Sequence, residues 1–118
     1  MELEAHIAQF GAAAYLVTVR PEGRPHVVAV TVACDDGEIV TNAGERTAAN
    51  VARHRDVTVL WAAPPGSGYC LVLDGAARVL DVDADAGGAR RLRVRPARAV
   101  LHRTPDGDAS SPSCITIL

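Results

Sequence analysis

Apolar and polar residues alternate along several short stretches separated by turn residues, the period of strands with one buried face. Ala14 to Arg20 reads as one strand, Pro21-Glu22-Gly23 as a turn, and His26 to Cys34 as a second, β-branched strand. Asp35-Asp36-Gly37 is a hairpin signal and Glu38 to Asn42 a third strand. The period then changes. Gly44 stands as N-cap, Glu45 suits the positive end of a helix, and Thr47 to Ala52 follow without Gly or Pro. Ala48, Val51 and Ala52 share one apolar face, while Arg46, Asn50 and Arg53 fall at i, i+4, i+7 on another, expected to meet solvent or ligand. Arg53, His54 and Arg55 suit the negative end, and Val57 to Ala63 reads as a buried strand ending at Pro64-Pro65.

Beyond that loop, Tyr69 to Leu80 predicts a long strand with Gly75 at a bulge or close approach. Arg91 to Arg95 alternates arginine with Leu92 and Val94, Ala97 to His102 continues past Pro96, and Ser113 to Leu118 is a short β-prone tail. Six or so strands with one well-defined helix predict a mainly β fold, a small barrel rather than an open parallel sheet. The 118 residues form a single domain over 1–118, and 48% hydrophobic content supplies a compact core. With only 3% aromatic residues, packing must lean on Val, Ala and Leu, which leaves barrel faces for a partner subunit to cover.

The helix start is the most informative chemical feature. Its first backbone N–H groups lack intrahelical partners and point along the positive end of the dipole, and Arg46 adds a charged fork, so an anion can be held there. Other charged groups suggest less. The series Arg90, Arg91, Arg93, Arg95, Arg98 and Arg103 follows Asp81, Asp83 and Asp85 in a chain of net charge -2 with few aromatics for stacking. That pattern reads as the polar face of a strand rather than a nucleic-acid surface. His26, His54 and His102 lack metal-site spacing, although His26 or His102 could serve a haem iron. Cys34, Cys70 and Cys114 have no Cys-x-x-Cys pair, so neither zinc nor a disulfide framework is expected, and Cys34 and Cys70 read as small buried side chains. Trp61 and Tyr69 flank Pro64-Pro65-Gly66-Ser67-Gly68, a loop that could border a ligand cleft. Met1-Glu2-Leu3-Glu4 is acidic where a secretory leader is basic, and no apolar run is long enough to span a membrane, so a cytoplasmic location is expected.

Two motifs carry a family resemblance. Gly23-Arg24-Pro25-His26-Val27-Val28-Ala29-Val30 is similar to a Gly-x-Pro-His-Val-x-Pro-Val strand entry. Val40-Thr41-Asn42 followed by Glu45-Arg46-Thr47 stands where that family has Tyr-Thr-Asn and then Ser-Arg-Lys, and the Asn50, Asp56 and Trp61 spacing agrees. The chain resembles the pyridoxamine 5'-phosphate oxidase-like flavin-binding split barrels, including actinobacterial FMN- and deazaflavin-dependent relatives, over roughly Ala14 to Val79. The resemblance implies a split β-barrel of Greek-key type with one or two short helices, and a homodimer holding its cofactor in the cleft between subunits. It implies that Arg46 and the Thr47 hydroxyl bind a cofactor phosphate and that Thr41 and Asn42 lie beside the ribityl chain or ring. Backbone groups of Val28 to Val30 would line the isoalloxazine edge.

The implied function is a flavin- or deazaflavin-dependent oxidoreductase. FMN is the expected cofactor, coenzyme F420 (the deazaflavin) or haem the alternatives, and a non-catalytic cofactor-binding barrel the alternative function. F420 carries a longer anionic tail and would call on further arginines such as Arg53 or Arg55. No residue is singled out as general acid or base, because hydride transfer at a flavin needs positioning above all. Three departures bear on the site: Ala29 stands for a frequent proline, Glu45 for the serine and Thr47 for the lysine. The ending Ser113-Cys114-Ile115-Thr116-Ile117-Leu118 also lacks the Trp-x-x-x-Arg-Leu-x-Pro tail of the vitamin-B6 enzyme, whose activity is therefore not carried over.

Overall fold

The computed structural model describes residues 2–83 and 88–118. Met1 and Asp85, both used in the sequence reading, lie outside the described residues. The elements follow in the order α1 (Glu2–Phe10), β1 (Ala13–Val19), β2 (Pro25–Asp35), β3 (Glu38–Ala43), α2 (Glu45–Arg53), β4 (Asp56–Trp61), β5 (Tyr69–Asp83), β6 (Ala89–Arg103) and β7 (Cys114–Thr116). Every strand pairing is antiparallel, in the spatial order β3-β2-β1-β4-β5-β6-β7. A further pairing of β3 with β6 closes the first six strands into a barrel, and β7 extends β6. The long connection through α2 returns β4 to the side of β1, which is the Greek-key path. The fold is thus mainly β, a split barrel with two short helices.

Local sequence explains the pairing. Asp36 and Gly37 both take positive φ, 52° and 76°, as a type I′ hairpin turn requires, and the turn sets Asp35 opposite Glu38. From there alternation fills the interior. Leu16, Ile39, Trp61, Leu71, Leu73, Leu92 and Val94 are fully buried, with Val and Ala filling between them.

As expected, the strand continues past Pro96: Arg91 to His102 lie in one strand, β6, with the proline absorbed at a bulge where Asp74 pairs with Arg98 and Gly75 with Pro96, leaving Ala97 as the extra residue. Other expectations change. β4 stops at Trp61 rather than Ala63, and the C-terminal strand covers only Cys114–Thr116. α1 is an addition. Its Leu3, Ile7 and Phe10 recur at helical spacing, but nine residues are too few to stand as a helix without the barrel beneath them. Trp61 is fully buried and its indole N–H donates to the Gly11 carbonyl at 3.0 Å, tying the end of α1 to the barrel. It is therefore not a cleft-side aromatic. Cys34 and Cys70 are half-buried rather than buried, and both remain free thiols.

The face of α2 is also corrected. Thr47, Ala48, Asn50 and Val51 point inward, while Ala52 is exposed. Polar residues can turn inward because partners wait there. Asn50 Nδ2 donates to Thr18 Oγ1 at 3.1 Å, and the Arg53 guanidinium donates to the Val19 carbonyl at 3.1 Å and to Asn50 Oδ1 at 3.3 Å.

The seam between β3 and β6 carries an ion-pair network. Glu38 accepts from Arg78 at 2.9 and 3.0 Å and from Arg93 at 2.7 Å, and Arg93 also donates to Asp35 Oδ2 at 3.0 Å. Hydrogen bonds from Arg78 and then Arg93 pull the Glu38 carboxyl down from 4.5 to about 2. A carboxyl with a lowered folded-state pKa stabilises the fold above its unfolded value, and that contribution disappears as pH falls through the folded value. The urea midpoint of the protein is therefore expected to drop between about pH 4.5 and pH 2, and Glu38→Gln is expected to flatten this dependence.

Gly75 shows the close approach expected of it. A methyl group there would collide with the Arg95 carbonyl oxygen and come within 2.9 Å of Val94 Cγ1. Backbone cannot move aside as a flexible side chain can. Gly75→Ala is expected to destabilise the fold by about 3 kcal/mol, the upper end of overpacking costs, measured by urea denaturation.

Candidate functional site

The start of α2 lies beside the part of β2 that extends beyond the end of β3. Gly44 has extended backbone angles, φ -73° and ψ 175°, and among the described residues no side chain caps the helix. The first intrahelical bond runs from the Ala48 N–H to the Gly44 carbonyl at 3.0 Å. The N–H groups of Glu45, Arg46 and Thr47 precede that ladder and form the positive end of the helix.

Two clefts meet in front of this helix start. One, of about 580 Å³, is lined by His26, Val28, Ala29 and Val30 of β2, Asn42 and Ala43 of β3, and Gly44 to Thr47. The other, of about 810 Å³, runs along β2 and β3 past Thr31 and Thr41 to Arg91 of β6. Ala29, Val30 and Asn42 belong to both, so the two adjoin and are treated as one groove. The combined groove has an apolar β2 wall and a cationic helix end, and its size suits a cofactor.

All six residues expected at a cofactor line this groove. Val28, Val30, Asn42, Arg46 and Thr47 line the cleft at the helix, and Thr41 lines its continuation. Their availability differs. Arg46 and Asn42 are exposed, whereas Thr47 and Thr41 are only 2% and 4% exposed. The Thr41 hydroxyl donates to the Thr31 carbonyl at 2.8 Å, so it faces a ligand mainly as an acceptor. Glu45, the acid that replaces the family serine, sits 3.9 Å from an Arg90 guanidinium nitrogen, which offsets its charge beside the helix start.

Sequence reading missed Arg91 and Arg90 as members of this neighbourhood. They look like ordinary members of an alternating strand, and only barrel closure reveals their place: Asn42 pairs with Arg91 and Ala43 with Arg90 across the β3–β6 seam. Arg53 and Arg55, considered for a longer anionic tail, do not line the groove, and Arg53 is engaged with Val19 and Asn50. The Pro64 to Tyr69 loop faces Thr104 to Ser111 in a separate cleft of about 370 Å³. Three other arginines of the series have partners of their own. Arg93 bonds Asp35 and Glu38, Arg98 lies 3.7 Å from Asp74, and Arg103 donates to the Ala109 and Ser111 carbonyls. Among the described residues no cluster of His, Cys, Asp and Glu could hold a metal ion. Burial, and then Glu4, push the Cys34 thiol up, away from the reactive thiolate.

A closed six-stranded barrel with a helix-ended groove across β2 and β3 defines the split-barrel class. The chain belongs to the pyridoxamine 5'-phosphate oxidase family, whose sequence model matches residues 3–110. An uncharacterized protein of Mycobacterium bovis is 37% identical over 114 residues, covering 86% of this chain and 80% of the relative. Two solved structures share the fold. An F420 reductase superposes with a TM-score of 0.65 at 20% identity, over 75% of this chain and 88% of that one. HutZ, the haem storage protein of Vibrio cholerae, superposes with a TM-score of 0.65 at 18% identity, over 91% and 98% of the two chains.

Proposed function

We propose that the protein is a homodimeric oxidoreductase that holds a flavin-type cofactor, FMN in the first instance, in the groove between β2, β3 and α2. The observation that carries this reading is the convergence of Val28, Val30, Thr41, Asn42, Arg46 and Thr47 on two adjoining clefts with a cationic end. Arg46 and the free N–H groups of α2 would hold the phosphate, and the apolar β2 wall would take the ring. When bound, the flavin supplies hydride transfer. The chain supplies binding, orientation and exclusion of water.

An apolar outer face supports the dimer. Tyr15 and Val27 are 45% and 57% exposed, and the register sets Tyr15 against Ala29 and Val17 against Val27. Ala29 belongs both to this face and to the groove. A second copy covering the face would therefore also cover the open side of the cofactor site. No helix among the described residues is long and apolar enough to cross a membrane. A cytoplasmic location is part of the proposal.

Pyridoxamine phosphate oxidation itself is not part of this proposal. The solved F420 reductase and haem storage protein define the two competing ligands. The visible absorption spectrum of the purified protein, alone and after addition of FMN, F420 or haemin, decides among them. A perturbed flavin spectrum at 1:1 stoichiometry supports the proposal. Perturbation of F420 or haemin alone would replace FMN with that ligand, and no perturbation by any of them would overturn the reading.

A further inference from the structure

His26 is a polar group in the groove with no role in the binding scheme described so far. It lies in β2 opposite Thr18, two residues ahead of Val28, and lines the cleft together with Gly44, Glu45, Arg46 and Thr47. Along β2 it stands at the helix end of the groove, away from the stretch past Thr31 that leads to Arg91. Its Nδ1 is sealed from solvent and has no hydrogen-bond partner. Arg20 Nε and Arg90 Nε share that condition among the described residues, but neither residue lines the groove.

Buried polar nitrogens are nearly always bonded in native proteins, because a sealed nitrogen loses its water and gains nothing in return. As placed, the ring gains nothing from that nitrogen, which a ligand in the groove can reach no better than water can. A half-turn of the ring about χ2 exchanges Nδ1 with Cδ2 and brings the nitrogen to the other edge of a half-buried ring. The exposed Arg46 guanidinium and the half-buried imidazole line the same end of one cleft, and the half-turn takes the nitrogen out of the sealed position.

We propose that His26 is a direct ligand of the anionic group bound at the start of α2, donating a ring N–H to one of its oxygens while Arg46 supplies the charge. This rests on the reading that the groove takes a flavin nucleotide with its phosphate at that end. The consequence is specificity. Arg46 attracts any anion, whereas a directional imidazole donor helps the site select a flavin carrying a phosphate over one ending in a hydroxyl.

The test is a fluorescence titration of FMN, and of riboflavin, which lacks the phosphate, into the wild type, His26→Leu and His26→Asn. His26→Leu is expected to weaken FMN binding about 10- to 100-fold, the loss of one charge-assisted hydrogen bond, and to change riboflavin binding less than about twofold. His26→Asn, which restores a donor near the position of Nδ1, is expected to recover part of the loss. Where the leucine variant does not fold, ¹⁵N spectra of the wild-type histidine rings give the same answer: FMN shifts the His26 signals and riboflavin does not. Equal weakening of both flavins, or unchanged FMN binding in a folded variant, overturns the inference while leaving the cofactor reading intact. A wild type that binds neither flavin overturns both.

Discussion

Arg46→Ala is expected to weaken FMN binding by about one to two orders of magnitude and to leave the stability of the apoprotein nearly unchanged. The guanidinium would make charge-assisted hydrogen bonds to the phosphate, each worth about 1.5 to 3 kcal/mol, and every 1.4 kcal/mol or so is tenfold in affinity. Its side chain is exposed at the first turn of α2, where truncation removes little packing. Isothermal titration of FMN into both proteins, with urea denaturation of both apoproteins, separates the two effects. A stability loss that matched the affinity loss would mean that Arg46 holds the helix rather than the ligand. Glu45 sharpens the comparison. Because it lies 3.9 Å from Arg90, Glu45→Ser removes a negative charge near the phosphate but also frees a cation, and both changes are expected to tighten binding.

Trp61→Ala is expected to destabilise the fold by about 4 kcal/mol, in the range for truncating a fully buried tryptophan. The substitution opens a cavity in the core that Trp61 shares with Leu3 and Ile7 of α1 and removes the indole donor from the Gly11 carbonyl. Trp61→Phe keeps most of the apolar contact and loses the hydrogen bond, so a smaller loss of about 1 to 2 kcal/mol is expected. Urea midpoints measure both. Limited proteolysis should cut first near residues 2–12 in either variant, since Trp61 is the side chain that ties the end of α1 down.

Strand existence was legible because burial in a barrel imposes a strict period of two, as Leu71, Leu73 and Ala77 show along β5. The hairpin at Asp36-Gly37 was legible because the turn demands two positive φ values that few residue pairs accept. What could not be read were consequences of closure. The strand continues past Pro96 as its sequence suggests, but the bulge opposite Gly75 that absorbs the proline depends on the register with β5. Asn50 looks like a surface residue until Thr18, 32 positions away in sequence, offers it a hydrogen bond inside the barrel. α1 has helical periodicity but derives its stability from the core it covers, which no local window contains.

The candidate site divides along the same line. Val28, Val30, Thr41, Asn42, Arg46 and Thr47 fall in two local motifs that a single sequence displays. Arg91 joins them only through the β3–β6 register, and His26, legible as a motif residue and a haem candidate, shows its unpartnered nitrogen only in the fold. Sequence also cannot reveal which hydroxyls are already committed. Thr41 and Thr47 look equivalent as ligands, yet one donates its hydrogen to the Thr31 carbonyl.

The most direct measurement is a crystal structure of the protein with FMN bound at saturating concentration. The predicted result has the phosphate between the Arg46 guanidinium and the backbone N–H groups at the start of α2, with the isoalloxazine ring against Val28, Ala29 and Val30 of β2. FMN bound elsewhere, or bound in this groove with its phosphate away from Arg46, would contradict the assignment.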